Sequence, residues 1–433
     1  MRTAQVLTFG CKVNQHETTL MEDALLNAGY ALVPSRDPAD LVVVNSCTVT
    51  HRADSDARKG VRQALRRNPA AFVVMTGCFA QVAPALAARQ PGIDLVLGNQ
   101  EKLSLAAYLP STLDKSDTAT VTVAPIADAA PLTLPGAPIS GDRSRAYLKV
   151  QEGCHLRCAF CIVPLARGEE RSVPRAEVLA AVAGYAGQGY PEVVLTGVHL
   201  GGYGRDHGED LATLIRSIDQ QGLVRQRISS LEPMEVNEAF LDAVIHSTSV
   251  CRHFHLPLQA GSDAVLRRMG RPYTVAHYQQ ICDRLKAWAP ETCIGADIIV
   301  GFPGETVEDF EATARYLAEG PIDYAHLFPY SIREGTRAAR MVDQIPSTEK
   351  ARRMAVLQAI DQRNRTRFAA SNDGRTLSCV VEWPRDGATP ERVSAVADNY
   401  AQCVIETAHL TGRPRLVDVQ MHWTGSELIG VPV

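Results

Sequence analysis

Over its first hundred residues, and again from Tyr147 to residue 331, the chain repeats one rhythm of short apolar runs alternating with helical stretches. The first hundred residues read AQVLTF, TTLMEDALLNAG, LVVVNS, DARKGVRQALRRN, AFVVMTG, VAPALAAR and IDLVLGN. Parallel strands need a crossover long enough to return the chain, and an amphipathic helix supplies it. The pattern therefore predicts an α/β fold whose N-terminal domain, residues 1–108, is a doubly wound parallel sheet.

Residues 109–141 contain STLDKSDTATVTVAPIADAAPLTLPGAPISG, rich in Ala, Pro, Thr and Ser without a helical period, and read as a linker. The rhythm resumes at Tyr147 and gives about six βα units within residues 142–368. Six exceed a mononucleotide-binding half and fall short of a closed eightfold barrel, so a partial (β/α)6 barrel is expected, with its site at the carboxyl ends of the strands. Residues 369–433 break into short alternating strands, which predict a small β-barrel.

A length of 433 residues suits about three domains. The net charge of -4 gives no global electrostatic reason to bind nucleic acid or a membrane. MRTAQVLTFG reads as a strand, and no apolar run approaches the ~18 residues of a membrane span, so a cytoplasmic protein is expected. Eleven cysteines in a reducing compartment point to metal binding or catalysis, not to a disulfide framework.

GCHLRCAFC, residues 153–161, places Cys154, Cys158 and Cys161 with three and then two residues between them. Four thiolates would close a zinc site or fill every corner of a 4Fe-4S cluster; three leave one iron open to a reactant. The bland alternatives are an incomplete zinc knuckle, a disulfide with a spare thiol, or packed cysteines. Cys11, Cys47 and Cys78 follow VLTFG, LVVVNS and VVMTG, each just past a strand end, where open α/β sheets bind ligands. They form a candidate second cluster site, against the alternative that they are small buried hydrophobes. His51 and His155 stand near the two sets without zinc-finger spacing. Cys251, Cys282, Cys293, Cys379 and Cys403 lack ligand spacing and read as packed hydrophobes.

Later turns, TGVHLGGYG, SSLEP, LPLQAGSD and VGFPGET, offer glycines and polar groups at one rim. Gly197, Ser230, Glu232 and Gln259 are candidates for holding a polar cofactor, although ordinary turn chemistry explains any one loop. Arg58, Arg62 and Arg66 recur every four residues on one helix face, which is either solvated or a stripe for a phosphate-bearing partner.

With Phe160 before the last cysteine, CHLRCAFC resembles the radical S-adenosylmethionine signature. CIVPLARGEERS, RISSLEP, HLPLQAGSD and VGFPGET extend the resemblance to the methylthiotransferase family over nearly the whole chain. It implies two 4Fe-4S clusters, one at Cys154, Cys158 and Cys161 that cleaves S-adenosyl-L-methionine to a 5′-deoxyadenosyl radical. The other, at Cys11, Cys47 and Cys78, carries the sulfur that a second S-adenosylmethionine methylates. The C-terminal segment, through DNYAQCVIE, is similar to the family's TRAM domain, an OB-like RNA-binding module. TFGCKVNQHET resembles the branch that modifies C2 of threonylcarbamoyladenosine beside the tRNA anticodon. Other branches act on isopentenyladenosine in tRNA or on an aspartate of a ribosomal protein.

The partners so implied are tRNA, an electron donor of flavodoxin or ferredoxin type, and a sulfur donor of unknown identity. The alternative of another class is a non-catalytic, metal-containing RNA-binding protein. Residues 371–433 hold five Arg and no Lys against eight Asp and Glu, so bulk charge there does not favour RNA. The basic helical segment with Arg352, Arg353, Arg363, Arg365 and Arg367 is the other candidate for phosphate contacts, against the equal alternative of a solvated linker helix.

Overall fold

The computed structural model describes residues 1–49, 51–134, 144–384 and 387–433, without the side chains of residues 51 and 52. The candidate zinc partner His51, and the expected boundary between residues 141 and 142, lie outside what is described. The chain divides into two compact units. One comprises Met1–Gly141, Tyr147–Arg157 and Cys161–Val173; the other comprises Asp142–Ala146, Cys158–Phe160 and Pro174–Val433.

The first unit opens with β1 (Thr3–Thr8), α1 (Lys12–Asn27), β2 (Ala31–Leu32), β3 (Leu41–Ser46), α2 (His51–Arg67) and β4 (Phe72–Gly77). α3 (Cys78–Val82), α4 (Pro84–Ala88), β5 (Leu95–Leu97), α5 (Leu105–Tyr108) and β6 (Thr120–Thr122) follow. They build a six-stranded parallel sheet in the order β2-β1-β3-β4-β5-β6. β3 and β4 are buried at every position, which is why LVVVNS and FVVMTG read as continuous apolar runs without alternation. One expectation is corrected here. The Ala/Pro-rich stretch read as a plain linker contributes β6, where β-branched TVT pairs in parallel with Leu95–Leu97.

β7 (Ala146–Lys149) and β8 (Gln151–Glu152) lead into the cysteine loop, and α6 (Val163–Arg167) and β9 (Arg171–Ser172) leave it. β8 and β9 pair antiparallel.

In the second unit α7 (Arg175–Gly187), β10 (Glu192–Thr196), α8 (Leu211–Gln221), β11 (Arg225–Ile228), α9 (Glu238–Ile245) and β12 (His253–His255) continue the alternation. α10 (Asp263–Met269), α11 (Val275–Trp288), β13 (Cys293–Val300), α12 (Val307–Glu319) and β14 (Tyr324–Pro329) complete it. β10–β11, β12–β13 and β13–β14 pair in parallel, and the bridges Gln226↔Val250 and Ser230↔His255 join the two groups. With β7 first in chain order, these are the six strands of a partial (β/α)6 barrel. β12 is regular only over His253–His255, because the Leu-Pro-Leu that follows cannot continue a ladder.

α13 (Ser347–Ala370) then leads to β15 (Thr376–Glu382), β16 (Arg392–Ala397), β17 (Gln402–Glu406), β18 (Leu416–Trp423) and β19 (Leu428–Pro432). These five strands close a barrel in the order β15-β16-β17-β19-β18. Cys379, Val381, Ala395, Cys403, Ile405, Val419 and Met421 fill it. All five cysteines read as packing residues are buried: Cys251, Cys282, Cys293, Cys379 and Cys403. No described helix is long and apolar enough to cross a membrane.

Candidate metal and cofactor sites

β1, β3 and β4 are parallel neighbours in near register, Thr8↔Asn45 and Ser46↔Gly77. Cys11, Cys47 and Cys78 therefore leave one edge of the sheet together, as the strand ends predicted. Two glycines bring the turns into contact. A Cβ on Gly10 would stand 2.6 Å from Cys47 Cβ and 2.9 Å from its sulfur, and one on Gly77 would stand 2.3 Å from the Ser46 carbonyl. Both adopt positive φ, +104° and +92°, which glycine reaches without a steric cost.

Asn14, one turn into α1, ties these turns down. Its Nδ2 donates to the carbonyls of Phe9 at 2.7 Å and Ser46 at 3.2 Å, the residues just before Gly10 and Cys47. Burial, then the neighbouring Cys78 and Cys11, push the Cys47 thiol up to about 12. Burial also raises the Cys11 thiol, and a bound metal cluster would relieve the cost of ionising such a donor set.

Beside the cysteines lies a buried ion network that sequence reading missed. Arg167 donates through Nη1 to Glu17 Oε1 and Glu152 Oε1, each at 2.5 Å, and through Nη2 to Asn14 Oδ1 at 2.6 Å and Glu17 Oε2 at 3.1 Å. Its Nε points at Cys78 Sγ, 3.3 Å away. Lys102 Nζ meets Glu17 Oε2 at 2.5 Å, and Lys149 Nζ meets Glu17 Oε1 at 2.9 Å and Glu152 Oε2 at 2.8 Å. All five charged side chains are at most 7% exposed. Burial alone would raise both carboxyls. The cations overcome it, Arg167 and Lys102 holding Glu17 well below its ordinary value, and Lys149 and Arg167 bringing Glu152 to about 2. Three cations against two carboxylates leave one net positive charge among these five, which thiolates at the cysteines would balance. The donor set and its surroundings thus fit an anionic iron–sulfur cluster. Asn14 and Glu17, at spacings of three and six from Cys11, and the i,i+3 pair Lys149 and Glu152 before Cys154 are the network's local traces in the sequence.

Within GCHLRC, Gly153 and Arg157 adopt left-handed backbone, φ +78° and +48°. A Cβ on Gly153 would overlap the Glu169 carbonyl at 1.8 Å, so the loop's entry requires glycine. The Cys154 N–H donates to the Gly168 carbonyl at 3.1 Å. His155 pairs with Glu170 at 2.6 Å. In the other unit, the Ala159 N–H and carbonyl bond Met269 and Ala338 across 2.8 Å each, and Phe160 packs edge-on against Phe302. Cys154, Cys158 and Cys161 are partly exposed.

Gly197, Ser230, Glu232 and Gln259 fall just past β10, β11 and β12, three neighbours of the parallel sheet, so topology brings them to one rim. Their details differ. Ser230 is exposed, and Gln259 adopts φ +66° while its backbone bridges Ile298. The Glu232 carboxylate is engaged by the guanidinium of Arg271, which also donates to Cys158 Sγ at 3.1 Å. Arg58, Arg62 and Arg66 are exposed along α2. Of the five α13 arginines proposed for phosphate contact, Arg353 is withdrawn: it is buried and paired with Glu305 and Glu349, because it packs the helix onto the barrel.

The family profile described as uncharacterized protein family UPF0004 matches residues 3–98, and that of the Radical SAM superfamily matches residues 148–317. The threonylcarbamoyladenosine tRNA methylthiotransferase MtaB of Aquifex aeolicus is 38% identical over 86% of this chain and 91% of its own length. The chain belongs to the radical S-adenosylmethionine tRNA methylthiotransferase family.

The MtaB of Bacillus subtilis is 36% identical over 94% of the chain and 91% of its own, and a tRNA-2-methylthio-N(6)-dimethylallyladenosine synthase of Fusobacterium nucleatum 33% over 89% of each. A solved radical S-adenosylmethionine methyltransferase, TsrM from Kitasatospora setae, superposes with a TM-score of 0.56 at 14% identity over 76% of this chain and 73% of its own. That likeness is one of fold. This methylthiotransferase is an enzyme that transfers a methylthio group to tRNA, with S-adenosylmethionine and 4Fe-4S clusters as its cofactors.

Proposed function

We propose that this methylthiotransferase acts at C2 of threonylcarbamoyladenosine beside the tRNA anticodon. The observation that carries the reading is the motif at the first cysteine, TFGCKVNQHET, together with the names of the Aquifex and Bacillus relatives. The C2–H of a purine has neither an acidic proton nor a leaving group, so the cofactors must supply radical chemistry.

Cys154, Cys158 and Cys161 would hold the cluster that cleaves S-adenosylmethionine, and Cys11, Cys47 and Cys78 the cluster that bears the transferred sulfur. The task of the chain's own residues is to position and shield. Asn14, Gly10 and Gly77 hold the first three thiols at one sheet edge. Arg271 braces Cys158 from the rim where Gly197, Ser230, Glu232 and Gln259 would receive the polar parts of S-adenosylmethionine, and its pairing fixes Glu232. The exposed face of Arg58, Arg62 and Arg66 would meet tRNA phosphates. A flavodoxin- or ferredoxin-type protein would deliver electrons, and a separate donor would restore the sulfur.

The test is anaerobic incubation of the reconstituted enzyme with S-adenosylmethionine, reductant and tRNA carrying threonylcarbamoyladenosine, followed by nucleoside mass spectrometry. A methylthio adduct on that nucleoside is expected. Formation of 5′-deoxyadenosine with an adduct only on isopentenyladenosine, or only on a ribosomal-protein aspartate, would overturn the substrate while keeping the chemistry.

A further inference from the structure

We propose that Arg167 sets the reduction potential of the cluster held by Cys11, Cys47 and Cys78, through the N–H aimed at the Cys78 sulfur and the buried positive charge behind it. The inference rests on the assignment of a cluster to those three cysteines.

Arg167 has no freedom to turn away. Nε faces Cys78 Sγ at 3.3 Å, Nη1 is shared by Glu17 and Glu152, and Nη2 by Asn14 and Glu17. Because the guanidinium is planar, fixing both Nη groups aims Nε as well. Asn14 also anchors the turns that carry Cys11 and Cys47, so one side chain orders the thiols and orients the arginine toward the third.

Two physical effects act in the same direction. An N–H donated to a ligating thiolate withdraws electron density, and a buried cation favours the more negative, reduced state of a nearby cluster; both raise its potential. The five charged side chains are buried, so neither effect is screened as it would be at the surface. The charge count makes the effect specific. With Arg167 the five side chains carry one net positive charge; with glutamine in its place Lys102 and Lys149 only neutralise Glu17 and Glu152. A purely structural arginine could have spent its fifth donor on a carbonyl, and here that donor faces a sulfur.

The experiment uses the full-length C154A/C158A/C161A variant, which leaves only this cluster, reconstituted anaerobically and titrated with a redox mediator set while paramagnetic resonance follows the reduced state. Introducing R167Q should shift the oxidised-to-reduced ratio at fixed potential at least tenfold toward oxidised, about 59 mV for one electron. R167K, which keeps the charge and loses the planar fork, should shift it in the same direction by less. A ratio within twofold of the parent in R167Q overturns the inference. If R167Q does not load, R167K carries the measurement; an unmoved ratio there, or failure of both variants to load, overturns it too. A parent that itself holds no iron overturns the cluster assignment, a result distinct from a loaded parent whose potential ignores Arg167.

Discussion

Arg271 donates a guanidinium N–H to Cys158 Sγ at 3.1 Å while its other arm grips Glu232, so one buried side chain joins a cysteine of the radical loop to the rim beyond β11. R271Q keeps the volume and removes the cation. Loss of such an outer partner typically costs ~10–100-fold in activity or affinity. 5′-Deoxyadenosine formation should fall by about that factor, and E232Q should fall less, because Arg271 retains Tyr273 and Cys158 as partners. Chromatography of the reaction products checks both; equal rates in R271Q and the parent would deny the arginine any role at Cys158.

Alanine at Cys11, Cys47 or Cys78 should reduce iron from about eight to about four atoms per chain. S-Adenosylmethionine cleavage should survive, and the methylthio product should disappear. Serine at Cys251, Cys282, Cys293, Cys379 or Cys403 should leave iron unchanged, since these thiols are buried in packed cores. Iron and sulfide assays on the eight variants separate the two groups.

His16 is buried on α1, with Nδ1 2.7 Å from the Tyr147 carbonyl. Burial first, then Lys149, lowers it from the ordinary 6.5 to about 4. The unfolded chain therefore binds the extra proton, so the stability contributed by neutral His16 is full above pH 6.5 and is lost as pH falls toward 4. The drop amounts to about 3 kcal/mol at ~1.36 kcal/mol per pKa unit. H16Q should flatten the decline in urea midpoint between pH 7 and 5, whereas an unchanged slope would assign it to other groups.

Glu192 sits at the start of β10 with Arg227 at 2.7 Å and Arg225 at 2.8 Å, and Arg227 also donates to the carbonyls of Ala397 and Asp398 in the C-terminal barrel. E192A leaves two arginines without their carboxylate, a loss of about 3–5 kcal/mol for a broken buried pair. Hydrogen exchange along β11 and β16 should accelerate together, since the same guanidinium holds both.

The α2 face is tested by charge removal. Replacing Arg58, Arg62 and Arg66 together with glutamine should weaken tRNA binding and lower the slope of log affinity against log salt by roughly 2 to 3. Iron content should not change, because all three side chains are exposed. An unaltered slope would make α2 a solvated face.

Sequence reading succeeded where the signal is local. LVVVNS and FVVMTG show their strands because every position is buried, and Cys11, Cys47 and Cys78 share an edge because each stands at the same phase of a βα unit. It failed where regular structure is short or partners are distant. TVT in the Pro-rich stretch becomes β6 only because β5 offers an open edge. Arg353 read as one more candidate for phosphate contact, and only the packing of α13 shows it buried against Glu305.

The residue pattern by itself determined the βα rhythm, the two sets of three thiols and the family they mark, since each is written in neighbouring residues and strict spacing. Only the tertiary structure decided that Arg167 meets Cys78, 89 residues away, and Glu17, 150 away. A contact closed by folding leaves no periodicity in the chain, and its strength comes from a dry interior that exists only once the chain has folded.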